Sequence, residues 1–107
     1  MSNEPQSKVL RHIVLFKFKE EVTPMAIDQT VKAFIHAVDQ IGTINDFEWG
    51  LNNSPEDLNK GFTHAFVLTF EDDKSRDAYL PHPDHQNFVK QLKPLIEDVL
   101  VLDYWTK

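Results

Sequence analysis

The chain has 107 residues and 41% hydrophobic content, enough for one domain and too little for more. Its formal net charge of −6 argues against a nucleic-acid backbone as partner. The absence of cysteine excludes a disulfide framework, thiol catalysis and cysteine-based zinc sites, and it fits a cytoplasmic protein. No apolar run approaches the roughly 20 residues that span a bilayer, so no membrane partner is expected. The polar opening from Met1 to Ser7 lacks the apolar core of a secretory signal. Residues 1–8 are expected to form a disordered or extended tail ahead of a single domain over residues 9–107.

Val9 to Phe18 reads as a first strand, a nearly unbroken run of β-branched and aromatic residues. Leu10, His12, Val14, Phe16 and Phe18 share one face, and Ile13 and Leu15 share the other. Thr23-Pro24 opens a helix, with Thr capping the free amides and Pro suited to the first turn. Ile27, Val31, Phe34, Ile35 and Val38 then fall on one helical face, and Gly42 supplies the stop. His36 lies on the opposite, polar face, where it is a solvated side chain. Ile44 to Leu51 is a second strand with Phe47, Trp49 and Leu51 alternating. Asn52 to Lys60 is a loop of turn formers.

Thr63 to Phe70 is a third strand, with His64, Phe66, Leu68 and Phe70 on one face and Ala65 and Val67 on the other. Asp73 is the expected cap of a short helix through Leu80, which Pro81 and Pro83 break. Asp84 is the expected cap of a further helix starting near His85. There Phe88, Val89, Leu92 and Ile96 face inward, and Pro94 kinks or ends the helix. Val99 to Trp105 is the last strand.

The order β-α-β-β-α-β, with its second helix divided, predicts a ferredoxin-like α+β fold: a four-stranded antiparallel sheet with helices on one face. The other face is expected to carry Ile13, Leu15, Val67 and Val101. An apolar sheet face of that size calls for a cover, and the simplest is a second copy packed sheet against sheet. The chain is therefore its own expected partner, as a homodimer.

Candidate chemistry sits in Tyr79-Leu-Pro-His-Pro-Asp-His85. His85 begins a helix, where exposed amides favour a neutral imidazole and Asp84 pulls the other way. A neutral imidazole is what a general base requires. Tyr79, six residues earlier, can fold its hydroxyl towards His85 across the proline turn. The competing reading of both is plain packing, with the imidazole donating to a backbone carbonyl and the phenol satisfied by a core acceptor. His12 and His64 share the helix-facing side of neighbouring antiparallel strands. Both lie near strand starts, which places them about 20 Å apart, too far to be co-ligands within one subunit. A cavity walled by Val14, Phe34, Phe66 and Phe88 would take a small apolar or aromatic ligand. His82-x-x-His85 has metal-compatible spacing but lacks an obvious third ligand, so neither metal nor cofactor is expected.

These residues resemble the stress-responsive A/B barrel (Dabb) family over about Leu10 to Tyr104. The resemblance rests on a pattern in a fixed order: His12 followed by an apolar strand and Lys17-Phe18, then Trp49-Gly50, Gly61-Phe62-Thr63-His64, and Phe70-Glu71. Tyr79-x-x-His-Pro-x-His85 and Asp103-Tyr104 complete it. It implies a homodimeric α+β barrel made of two facing sheets. Some plant members of the family are stress-associated, and many members have no assigned reaction. One plant member looks like an aromatic polyketide cyclase whose acid–base His and Tyr match His85 and Tyr79, with further pocket histidines matching His12 and His64. Phe34 stands where that enzyme has a pocket tyrosine, which removes one polar contact to a ligand. Three readings stay open: a stress-associated homodimer without a reaction, a module binding a small apolar or aromatic molecule, and a cofactor-independent cyclase.

Overall fold

A computed structural model describes residues 8–107, and the expected tail through Ser7 lies outside the described residues. Four strands and three helices follow in the order β1 (Leu10–Phe18), α1 (Pro24–Gln40), β2 (Asp46–Leu51), β3 (His64–Phe70), α2 (Asp73–Tyr79), α3 (Pro83–Leu92) and β4 (Ile96–Trp105). A single 3-10 turn, Lys93–Leu95, joins α3 to β4. The strands form one antiparallel sheet in the order β2-β3-β1-β4. This is the ferredoxin-like arrangement expected from the element order.

The helix boundaries follow local chemistry, with four departures from expectation. Thr23 caps α1 as expected, its hydroxyl accepting from the Ala26 amide, with Pro24 at the first position. The helix ends because Ile41 turns extended (φ −104°, ψ 106°), so Gly42 is not the residue that stops it. Asp72, one residue before the expected Asp73, caps α2 by accepting from Ser75 N–H at 2.8 Å. The prolines do divide the second helix, but α3 starts at Pro83 and its cap is His82, not Asp84. His82 Nδ1 accepts the Asp84 amide at 3.1 Å, doing with a ring nitrogen what a capping carboxylate does with oxygen. Pro83, lacking an amide hydrogen, suits the first position. Ile96, expected inside the last helix, is the first residue of β4.

The covered face of the sheet is aromatic. Phe16, Phe34, Phe66 and Phe88 form one cluster, with Phe34 stacked on Phe88 at 4.6 Å between ring centroids and edge-on to Phe66 at 4.7 Å. The β1 side chains alternate buried and half-buried, as a strand with one covered face requires.

The uncovered face is aliphatic, and it corrects one expectation. Val101 pairs with Val14, so it points to the helix side. Leu100 opposite Leu15, and Leu102 opposite Ile13, hold the positions expected of Val101. Alternation along β4 was legible, but its phase relative to β1 is set by register, and a one-residue shift exchanges the faces. Ile13, Leu15 and Val67 are half-buried, while Leu100 and Leu102 remain 42% and 58% exposed.

Candidate functional site

Between the covered face and helices α2 and α3 lies a cavity of about 290 Å³. Its walls are apolar, including Val14, Phe16, Phe34, Phe88, Leu92 and Val101, and its polar groups are His12, Tyr79, His85 and Lys93. Of the residues expected to meet here, His12, Val14, Phe34, Tyr79, His85 and Phe88 line it. Phe66 lies behind the wall, fully buried in the aromatic cluster. His64 sits elsewhere. The register pairs it with Phe16 and pairs His12 with Leu68, so four residues separate the two histidines along β1. They are therefore about 13 Å apart, closer than the 20 Å expected from strand starts but still in separate environments.

The proline turn brings the acid–base pair together. The Tyr79 and His85 rings lie 4.3 Å apart between centroids. His85 Nδ1–H donates to the Leu80 carbonyl at 2.8 Å, which leaves Nε2 as the acceptor of the neutral ring. Its pKa is lowered from 6.5, chiefly by burial; the Leu80 carbonyl works the other way, and nearby His12 and His82 lower it further. The expected neutrality of this imidazole therefore has a different origin: the apolar wall, not the amides of a helix start. Tyr79 is almost wholly buried, and burial raises its pKa well above that of free tyrosine, so the phenol keeps its proton. Among the described residues no protein group hydrogen-bonds its hydroxyl.

His12 completes the site through partners that sequence reasoning missed. Its Nδ1–H donates to Asp103 Oδ1 at 2.7 Å, and Arg76 Nη1 donates to Asp103 Oδ2 at 3.2 Å. The Asp103 carboxylate thus ties β1, β4 and α2 together and fixes which nitrogen of His12 bears the proton. The His12 ring lies edge-on to Tyr79 at 5.8 Å. A carboxylate inside the otherwise apolar run of residues 99–105 is the available signal, and cross-strand pairing with His12 gives it meaning.

Of the His82-x-x-His85 pair, His82 uses Nδ1 to cap α3 and His85 uses Nδ1 to bond the Leu80 carbonyl. Among the described residues no cluster of three or more His, Asp or Glu could hold a metal ion. A larger cavity of about 490 Å³ lies under the β2–β3 loop against Leu15, Ala65 and Leu100. His64 lines it, with a pKa lowered by burial and with Nδ1 sharing a hydrogen bond with Thr63 Oγ1 at 2.8 Å. It holds no adjoining acid–base pair.

A ferredoxin-like α+β domain with one helix-covered and one open sheet face, and a histidine–tyrosine cavity under its helices, defines the class. The chain belongs to the Stress responsive A/B Barrel Domain (Dabb) family, whose model matches residues 10–106. It is 35% identical over 95 residues to a stress-response A/B barrel domain-containing protein of Arabidopsis thaliana, covering 89% of this chain and 87% of that protein. It is 28% identical to the olivetolic acid cyclase of Cannabis sativa, covering 89% and 94%. Among solved structures it resembles a hydroxynitrile lyase from Passiflora edulis, with a TM-score of 0.87, 27% identity and coverage of 94% and 95%. A Bacteroides fragilis protein of unknown function, described as dimeric with a ferredoxin-like fold, matches with a TM-score of 0.73, 26% identity and coverage of 92% and 96%. Among the described residues no helix is long and apolar enough to cross a membrane.

Proposed function

We propose that the chain is a homodimer whose covered-face cavity receives a small apolar or aromatic carbonyl compound, and that His85 and Tyr79 move a proton next to that carbonyl. The observation that carries the reading is the contact of these two rings in an apolar cavity, with burial moving their pKa values in opposite directions. Neutral His85 would take a proton from the carbon beside the carbonyl through Nε2. Tyr79 would donate a hydrogen bond to the oxygen as it gains enolate charge. The enolate carbon could then attack a second carbonyl of the same molecule, and the His85 imidazolium would return its proton to the new alkoxide. Two titratable groups driven apart by their surroundings suit such a division of labour. A cyclase and a lyase among the relatives support an enzymatic use of this cavity.

The dimer rests on the open face, where Leu100, Leu102 and Tyr104 stand 42%, 58% and 48% exposed beside Ile13, Leu15 and Val67. A second sheet packed at about 10 Å would cover them. The dimeric description of a structural neighbour supports this assembly.

The test is His85→Ala, assayed on cyclisation of a linear aromatic polyketone and on thermal stability. If the pair is catalytic, turnover disappears and the melting temperature hardly moves. If His85 only packs, losing its hydrogen bond of about 1 kcal/mol lowers the melting temperature by roughly 4–8 °C. Ligand binding without turnover by the native protein would favour the binding module. Absence of both would leave the stress-associated oligomer.

A further inference from the structure

Lys93 stands out among the groups lining the covered-face cavity, because among the described residues it is the one Lys, Arg, Asp or Glu there. It opens the 3-10 turn between α3 and β4, next to the wall residue Leu92 and three positions before the wall residue Ile96. The residue is exposed although it lines the cavity, and a lysine in such a position can cover apolar surface with its stem and keep its ammonium in water. Among the described residues no carboxylate lies within 4.0 Å of its ammonium, in contrast to Lys32, which pairs with Asp28 at 3.0 Å. Inside the cavity burial favours neutral His85 and protonated Tyr79, and the Nδ1 of His12 is taken up by the Asp103 carboxylate.

We infer that Lys93 is a specificity residue that selects ligands carrying an anionic group, such as a carboxylate, at the end directed to the cavity mouth. This inference rests on the cavity's being a ligand site, as proposed above. The preferred ligand is an aromatic or alkyl body with an acid terminus. The body fits the apolar walls, and the terminus stays in the partly hydrated mouth, where an ion pair avoids the cost of burying charge. A formal charge of −6 on the whole chain repels acids at long range, but that field is screened beyond about 8 Å in physiological salt. Close to the mouth the ammonium dominates.

The test titrates the full chain with p-butylbenzoate and with its neutral isostere p-butylbenzamide near pH 7 and in physiological salt. Chemical shifts of His12, Tyr79 and His85 report occupancy of the cavity. The native protein should bind the acid more tightly than the amide, by up to about fivefold, the upper end for an exposed ion pair. Lys93→Met keeps the stem and should erase that preference, so that acid and amide bind alike. Lys93→Arg should restore it. An acid preference that survives Lys93→Met, or none in the native protein although the amide binds, overturns the role of Lys93 and leaves the cavity reading standing. Failure of both probes to shift the cavity residues overturns the cavity reading, and this inference with it.

Discussion

The two faces of the sheet are apolar for different ends. The covered face is built from rings: Phe16 and Phe34 each pack against both Phe66 and Phe88 at 4.6 to 6.3 Å between centroids. Rings of fixed shape leave a gap where α2 gives way to α3, and that gap is the cavity. The open face is built from Ile13, Leu15, Val67, Leu100 and Leu102, branched side chains that offer area without shape. Stable area suits a partner sheet, whereas an irregular gap suits a ligand. The chemistry agrees: the His12–Asp103–Arg76 chain and the Tyr79–His85 pair lie on the covered side.

The largest expected effect tests the open face. Val67→Asp should dissociate the dimer, because a buried unpaired carboxylate costs several kcal/mol and the assembly would incur it twice. Light scattering should show monomers or aggregates in place of a dimer. A native protein that scatters as a folded monomer would sink the assignment of this face. Phe34→Ala tests the other side and should cost about 3–5 kcal/mol, since truncating a core ring adds a void to lost burial. The two should differ in kind. Loss at Val67 should shrink as protein concentration rises, whereas loss at Phe34 should be unaffected by it. Equal concentration dependence in urea melts would mean that the faces are not separate in function.

Gly61 bounds the loop beside the open face. Its φ of +85° lies in the left-handed region, and an added Cβ would stand 2.7 Å from Lys17 Cε. Gly61→Ala should cost about 1–2 kcal/mol from backbone strain, with the flexible Lys17 end moving aside. Repeating it on a Lys17→Ala background separates the causes: a penalty that disappears there would belong to the contact and not to φ.

The fold was legible because each element had its own period or punctuation. Alternation marked β1 and β3, Thr23-Pro24 marked the start of α1, and the prolines divided the second helix. The phase of β4 was not legible. Alternating Val99 to Trp105 gives two sets of residues, but only pairing with β1 says which set meets the helices, and that pairing puts Val101 on the helix side and not on the open face expected for it. The same gap hid Asp103, whose role depends on a partner 91 positions away. Tyr79 and His85 were legible because a six-residue proline turn is a local constraint. His64 was grouped with them by facing direction, which cannot report distance along a strand.

The smallest expected effect compares the two ends of the covered face through pH. Burial holds the imidazoles of both His64 and His85 below the ordinary 6.5. The unfolded chain therefore takes up these protons near pH 6.5, while the folded chain takes them up only at lower pH. Across that interval the unfolded state binds more protons, so stability is fully present above it and declines as pH falls through it. His64→Gln and His85→Gln should each flatten the fall in urea midpoint between about pH 7 and about pH 5. A ligand should then separate the two ends. An apolar molecule in the cavity deepens the desolvation of His85, and His64 lies about four strand positions away. Saturating p-butylbenzamide should steepen the pH dependence of the native protein and of His64→Gln, and leave that of His85→Gln unchanged. If the amide steepened His85→Gln equally, the titrating group beneath the ligand would be another residue, and the cavity chemistry would have to be rebuilt around His12.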